Sequence, residues 1–148
     1  MASNTSRNSK QRNGVQQGRK KKHKVNQLKP GTSGHTLTVK VVDRYSVLSF
    51  IRPGRIAECL VGDETASIIF TARNDQVDLM KPGTPFDQKT VPTGTTVNLR
   101  NTKINMFHGF MRLAVNKFGR IEVVTEPADI TVKEDNNLSL VEYEPVYL

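Results

Sequence analysis

The sequence predicts an all-β domain, a five-stranded Greek-key barrel with a short helix between strands three and four and a disordered basic tail before the barrel. Apolar and polar residues alternate with period two over five segments between Thr36 and Val115. Clusters of Gly, Pro, Asn and Asp separate these segments and mark turns. A single helical pattern follows the third segment, at Asp75–Met80.

Composition excludes several classes of protein. Among the 148 residues, 36% are hydrophobic, and no apolar run is long enough to span a bilayer. The N-terminus lacks the apolar segment of a signal peptide, so we expect neither membrane insertion nor secretion. The single cysteine, Cys59, lies within a predicted strand, where a buried, inert thiol is favoured over a redox or metal-binding role.

The net charge of +8 is unevenly distributed along the chain. Residues 1–24 hold eight basic residues and no acid, residues 25–120 hold 13 basic and 7 acidic, and residues 121–148 hold 1 basic and 7 acidic. We therefore expect three parts. These are a disordered basic tail over 1–24, a barrel over 25–125, and an acidic C-terminal extension over 126–148 that either adds a strand or binds a partner.

The basic cluster Arg19–Lys24 predicts a nuclear localisation signal or a nucleic-acid-binding arm. A tail that only increases solubility is the plainer alternative. A basic, Ser-containing and acid-free N-terminus also suits an organelle transit peptide. We expect a nuclear protein, with an organelle or the cytoplasm as the alternatives.

The first strand is predicted at Thr36–Asp43, with Leu37, Val39 and Val41 on one face. The segment Arg44–Gly54 either lengthens this strand into a long hairpin or forms an apolar contact with a partner, and the hairpin is favoured. Strands two and three follow within Arg55–Arg73, joined by a turn at Gly62–Glu64.

Asp63 and Glu64 are adjacent carboxylates in that turn. No histidine or third carboxylate lies near them in sequence, so they indicate turn chemistry rather than catalysis. In strand three, Ile68, Phe70 and Ala72 face one way. The helix Asp75–Met80 then presents an apolar side that would plug the end of the barrel.

A loop at Thr84–Gly94 precedes strand four, Thr95–Phe107, where a bulge or bend near Asn101 would keep Ile104 and Met106 inward. A turn at Phe107–Gly109 leads to strand five, whose inward residues are Met111, Leu113 and Val115. Further predicted elements are a turn at Asn116–Arg120, a short strand at Ile121–Thr125, a turn at Glu134–Asn137 and a strand at Leu138–Tyr143. This order of elements is that of the OB-fold.

Alternation also predicts an outward face rich in cations and aromatic rings. Single-strand binders combine such groups, because cations follow the phosphates and flat side chains stack on bases. Alternatively, the phenylalanines belong to the core and the cations to an ordinary solvated surface. The candidate nucleic-acid-binding residues are Arg73, Arg100, Lys103, Phe107, Phe110 and Arg112.

Signs of catalysis are missing from the sequence. His23, His35 and His108 are scattered without metal-ligand spacing, and no phosphate-binding loop or nucleophile motif occurs. We expect no enzyme activity, no metal site and no cofactor.

Four segments carry a resemblance to a known family: Val25–Gly31, Glu58–Asp75, Leu79–Gly83 and Met106–Val115. They resemble the small OB-fold single-stranded DNA-binding proteins, a family that includes the B subunit of the sensor-of-single-stranded-DNA complex and replication protein A-like domains. The likeness is closest to small, mostly uncharacterised plant members and covers roughly Val25–Val124, with the plant group also sharing the acidic ending.

This resemblance implies a DNA-binding face whose aromatic positions have changed. The family's Trp after strand three corresponds to Arg73, an aromatic on strand four to Lys103, and a Tyr on strand five to Ala114, while Phe107 remains aromatic. Arginine can also stack on bases and pair with phosphate. The loop Thr84–Gly94 is an insertion relative to the family, which runs from its turn almost directly into strand four.

The sequence thus predicts a non-catalytic protein that binds single-stranded nucleic acid, DNA before RNA, and the resemblance implies a role in DNA repair or genome maintenance. The alternative is a protein-interaction OB module that is a subunit of a larger complex. The oligomeric state is left open.

Overall fold

The computed structural model describes residues 23–49, 54–80, 94–124 and 129–144. Its strands and helix, in chain order, are β1 (Ser33–Ser49), β2 (Ile56–Gly62), β3 (Ser67–Arg73), α1 (Asp75–Met80), β4 (Thr96–Phe107) and β5 (Phe110–Val123). Short 3-10 turns occur at Val25–Gln27 and Leu138–Leu140. The predicted tail up to residue 22 and the insertion up to residue 93 lie outside the described residues. In the part of the chain that the structure describes, no helix is long and apolar enough to cross a membrane.

The five strands form a closed barrel in the order β1-β2-β3-β5-β4, and β4 returns to pair with β1. All neighbours are antiparallel except β3 and β5, which are parallel and pair at Phe70 and Leu113. This arrangement confirms the predicted five-stranded barrel with one short helix between the third and fourth strands.

The inward faces of the strands fill the barrel, as their alternation predicted. Leu37, Val39 and Val41 are all at most 4% exposed. Val77 and Met80 of α1 join the same core, so the helix closes one end of the barrel. Cys59 is buried as expected, and this burial raises the pKa of its thiol to about 12, which keeps it protonated and unreactive.

The favoured interpretation of Arg44–Gly54, in which the first strand lengthens into a long hairpin, is confirmed as far as Ser49, and residues 50–53 lie outside the described residues. β1 runs to Ser49, which lies opposite Ile56, and Tyr45 lies opposite Cys59. Register shifts after Val41 and after Val47 bend the strand, and such bends allow a long strand to wrap around a small barrel.

The predicted bulge in β4 is confirmed at Asn101, which has a φ of 56°. Val97 and Leu99 are buried before it and Thr102 and Ile104 after it, so one extra residue changes which positions face the core. The prediction that Met106 is also inward is wrong, since its side chain is 42% exposed. Met106 lies next to the end of the strand, beyond the last core layer at Ile104.

A turn at Asn116–Arg120 was predicted to end strand five, and this is wrong. β5 continues to Val123, and it absorbs extra residues opposite the β4 bulge. Val115 lies opposite Thr102, whereas Arg120 lies opposite Arg100. Gly119 makes this possible because a Cβ at its position would lie only 2.2 Å from the carbonyl oxygen of Arg100.

The C-terminal segment closes the seam between β3 and β5. The hydroxyl of Ser139 accepts a hydrogen bond from the Ile69 N–H (2.9 Å) and donates one to the Met111 carbonyl (2.6 Å). Leu138–Leu140 is a 3-10 turn, so the predicted strand Leu138–Tyr143 is wrong. A side chain, rather than strand backbone, supplies the missing partners where the two parallel strands diverge.

Asp63 performs the structural role predicted for its turn. Its Oδ1 accepts from the Thr65 N–H at 2.9 Å, and its Oδ2 accepts from the Val25 N–H at 2.9 Å. The carboxylate is 1% exposed, so it ties the first described turn to the β2–β3 hairpin from a buried position.

Candidate functional site

A groove of about 550 Å³ opens on the outer face of β2, β3, β4 and β5. Most of its lining residues alternate with core-facing neighbours, as the pleat of a sheet requires, and Met106 joins them between two other lining residues at the end of β4. The lining residues are Ile56, Glu58, Thr71, Arg73, Lys103, Asn105, Met106, Phe107 and Arg112.

Phe107 supplies the aromatic surface of this groove. It is the last residue of β4 and is 55% exposed. The two-residue turn that follows has positive φ at both His108 (50°) and Gly109 (90°), the backbone of a tight hairpin. The His108 ring lies edge-on to Phe107, with 4.4 Å between ring centroids. The hairpin geometry therefore fixes the ring at the rim of the groove.

Arg112 is held beside Phe107 by a carboxylate. Its Nε lies 2.9 Å from Oε2 of Glu58, and its Nη1 donates to the Met111 carbonyl at 3.2 Å. The two charged side chains are only 15% and 22% exposed. Its guanidinium carbon lies 5.6 Å from the centroid of the Phe107 ring, within the range of a cation–π contact. The ring and the guanidinium form a fixed pair.

Arg73 and Lys103 add positive charge from two further strands. Arg73 ends β3 in an exposed position, and its backbone N–H donates to Oε1 of Gln76 at 3.2 Å. Lys103 is half-buried and lies opposite Ala114. With Arg112, the lining holds three cations against the single carboxylate of Glu58, so the groove is net positive.

Four of the six residues predicted to bind nucleic acid therefore meet in one groove: Arg73, Lys103, Phe107 and Arg112. The other two lie outside its lining. Phe110 is half-buried at the start of β5, opposite Phe107 and bridged to Glu142 of the C-terminal segment. Arg100 lies farther along β4, where its Nε is 2.6 Å from Oε1 of Glu122.

Five lining residues were not predicted: Ile56, Glu58, Thr71, Asn105 and Met106. The signal for Ile56 and Glu58 was present, since they alternate with the buried Ala57 and Cys59. Cations and aromatic rings are the side chains that indicate a nucleic-acid-binding face, however, and Ile56 and Glu58 are neither. Its importance follows from its contact with Arg112, which is 54 residues away in sequence.

The structure brings two of the three histidines together. The rings of His23 and His35 are 4.7 Å apart between centroids, in an edge-to-face contact. Burial, and then the nearby His23, lower the pKa of His35 from its ordinary value. Over the described residues, no group of three His, Cys, Asp or Glu side chains could hold a metal ion.

Comparison with known proteins shows which family the sequence matches. The family of single-stranded DNA-binding proteins described as Ssb-like, with an OB fold, matches residues 28–123. An uncharacterized protein of Arabidopsis thaliana is 58% identical over 134 residues, which covers 82% of this chain and 80% of that protein.

Solved structures show the same fold. A hypothetical protein from Arabidopsis thaliana has a TM-score of 0.66 and 48% identity, over 100% of this chain and 99% of its own. A replication factor A related protein from Methanobacterium thermoautotrophicum has a TM-score of 0.51 and 18% identity, over 71% of this chain and 92% of its own. The OB domain of a Thermoplasma acidophilum protein has a TM-score of 0.52 and 17% identity, over 75% of this chain and 93% of its own. At this low identity, the last two show the fold alone.

Proposed function

Because this chain belongs to the Ssb-like family of single-stranded DNA-binding proteins with an OB fold, we propose that it binds single-stranded nucleic acid, DNA before RNA, through the groove around Phe107. The family supports nucleic-acid binding in general. The contacts of the groove supply the proposed mode of binding, and the proposal includes no catalytic step.

One observation carries this proposal: an exposed aromatic ring lies among three cations in a single groove. Phe107 offers a flat apolar surface on which any base can stack. Arg73 and Lys103 line the same groove and would supply the positive charge that follows the phosphates. Arg112, held by Glu58, adds a second flat surface, because a guanidinium stacks on bases as well as pairing with charge.

Fluorescence anisotropy with labelled single-stranded DNA, across a salt series, tests the proposal. We expect Phe107→Ala to weaken binding by about 5- to 150-fold, the range for one lost base–aromatic contact. Replacing Arg73 and Lys103 together by Ala should reduce the salt dependence by one or two phosphate contacts. Leu140→Ala is the matched control, since Leu140 is 73% exposed and does not line the groove.

The basic tail needs its own control, because a polycation binds DNA without a specific site. A chain lacking residues 1–22 keeps His23, Lys24 and the whole barrel. If this shorter chain does not bind at any salt concentration, while the full chain binds only at low salt, the groove is not the site.

A second candidate function is a protein-interaction module within a larger complex. The observation that favours it is a row of exposed apolar side chains in the acidic C-terminal segment: Leu140 (73%), Val141 (48%) and Tyr143 (40%). This function requires a defined partner that stays bound in stoichiometric amount after nuclease treatment and is lost from a Leu140→Asp variant. DNA binding that is unchanged in the same variant would separate the two functions.

We also propose that the cluster Arg19–Lys24 directs the protein to the nucleus. The protein's role would then lie in genome maintenance. The support is the charge of the cluster and the family to which the chain belongs. A fluorescent fusion in which these basic residues are replaced by Ser should no longer accumulate in the nucleus. Nuclear retention of that fusion would contradict the proposal.

A further inference from the structure

Phe118 is the most exposed large hydrophobic residue in the described part of the chain, at 85%. It lies in the widened part of β5, between Val115 and Arg120, where that strand departs from regular pairing with β4. Its neighbour Gly119 packs so closely on β4 that a Cβ would lie 2.2 Å from the Arg100 carbonyl oxygen. The backbone is therefore fixed beneath Phe118, and the exposure of the ring is built into the sheet.

One cation lies beside this ring and two more, Arg100 and Arg120, line the same depression as the ring. Nζ of Lys117 lies 5.5 Å from its centroid. Arg100 and Arg120 both bind Glu122, with Nε–Oε distances of 2.6 Å each. The hydrogen bond from Arg100, and then that from Arg120, lower the pKa of the Glu122 carboxyl, so it stays ionised and holds both guanidinium groups.

The surface beside Phe118 is concave. A depression of about 310 Å³ is lined by Thr36, Arg100, Asn101, Phe118 and Arg120. It holds two arginines and a ring, as the main groove holds two arginines, a lysine and a ring. Both sites therefore combine the same two kinds of side chain, and cations outnumber acids at both.

The two sites follow one another along β4. Lys103 lines the main groove and Arg100 lines the Phe118 depression, and these positions are at most about 10 Å apart along the strand. The sequence of contacts along the face is thus Phe107, Lys103, Arg100 and Phe118. A flexible polyanion bound at one end of this path lies within reach of the other.

We propose that Phe118 is a second base-stacking site, which binds a single strand of nucleic acid that leaves the main groove over Lys103 and Arg100. This inference rests on the proposed function of the groove and extends its path. The cations around the ring favour a polyanion over an apolar protein surface, because charge complementarity selects the partner. The strand must be long enough to span both rings, within the range of roughly 4–16 nucleotides per OB-fold.

Binding to oligonucleotides of two lengths tests this site in the full chain. We expect Phe118→Ala to weaken binding of an oligonucleotide of about 16 nucleotides by about 5- to 150-fold and to leave one of about 4 nucleotides unchanged. Phe107→Ala should weaken both. Phe118→Tyr keeps the ring and should bind as the native chain does, while Leu140→Ala controls for loss of an exposed apolar residue.

Because the sequence contains no tryptophan, a tryptophan introduced at position 118 reports on this site alone. In a Phe118→Trp variant, the single indole should lose fluorescence when the longer oligonucleotide binds and stay unchanged with the shorter one. A Phe118→Ala variant that binds the longer oligonucleotide as tightly as the native chain overturns the inference, and so does an unresponsive indole in a complex shown by anisotropy. If the native chain binds neither length, or if Phe107→Ala has no effect, the function proposed for the main groove fails instead.

Discussion

Glu58 on β2 and Arg112 on β5 form an ion pair, with 2.9 Å between Oε2 and Nε, although β3 lies between their two strands. The pair fixes the guanidinium near the ring of Phe107. It also places a carboxylate in a groove that we propose for a polyanion. Glu58 therefore orients Arg112 but weakens the attraction of the groove for phosphate.

This conflict predicts that Glu58→Gln strengthens binding of single-stranded DNA. The substitution removes one negative charge and replaces the ion pair of Arg112 by a weaker neutral hydrogen bond, which a phosphate can displace, so the salt dependence should steepen by about 0.7 in log–log slope for one added contact. Anisotropy across a salt series measures both effects. Glu64→Gln is the matched control, since Glu64 also pairs with a cation (Lys24, 2.7 Å) but does not line the groove. Weaker binding by Glu58→Gln would show that the position of Arg112 matters more than its charge.

The Ser139 hydroxyl predicts a stability effect at the seam of the barrel. Ser139→Ala should lower the free energy of unfolding by about 1–3 kcal/mol, because the N–H of Ile69 and the carbonyl of Met111 lose their partner in a buried place. Denaturant unfolding followed by circular dichroism measures this loss. Ser33→Ala, at an exposed position of β1, should change stability by less than about 0.5 kcal/mol. Equal effects at both serines would mean that the seam does not depend on the hydroxyl.

Gly119 predicts a second, steric effect. A methyl group there would meet the Arg100 carbonyl at 2.2 Å and Cγ1 of Val115 at 2.5 Å, so the two bulged strands must separate. We expect Gly119→Ala to cost about 1–3 kcal/mol or more, in the range for overpacking. Gly31→Ala is the control, because no atom lies within 4 Å and only the positive φ of 78° opposes it. Melting temperatures of the two variants decide the matter, and a Gly119→Ala chain as stable as the native one would contradict the close approach.

His35 predicts a loss of stability in mild acid. The Thr32 hydroxyl donates to the Lys29 carbonyl (2.6 Å), so Nε2 of His35 donates to it (2.8 Å) and the buried Nδ1 carries no proton. Burial, followed by the charge of His23, lowers the pKa of His35 in the folded chain. The unfolded chain therefore binds the proton more readily. Stability from this group is fully present above about pH 6.5, the ordinary value, and is lost as the pH falls through the lowered pKa.

Melting midpoints measured from about pH 8 to about pH 5 test this expectation. His35→Gln should flatten the decline, because it removes the titrating ring. His108→Asn should leave the decline unchanged, since His108 is exposed at the hairpin turn and Asn tolerates its positive φ. A decline of the same steepness in His35→Gln would assign the pH dependence to other groups.

Much of the fold could be predicted because its signals are local. Alternation in Thr36–Asp43 identified the buried face of β1, and the polar cluster at Gly62–Glu64 located the turn between β2 and β3. The bulge at Asn101 was visible because the apolar positions change from odd to even numbers along one strand. Met106 obeys the same alternation and is nevertheless exposed, since the pattern does not show where the barrel core ends.

The sequence by itself determined the five barrel strands, most of their inward faces, the short helix and the types of side chain that the outer face would carry, because each depends on neighbours only a few residues away. Only the tertiary structure decided which of these side chains meet. It separated Arg100 from the groove and placed it beside Phe118, joined Glu58 to Arg112 across β3, and set the Ser139 hydroxyl between Ile69 and Met111. These contacts span up to 70 residues, and closure of the barrel, which no local pattern encodes, brings them together.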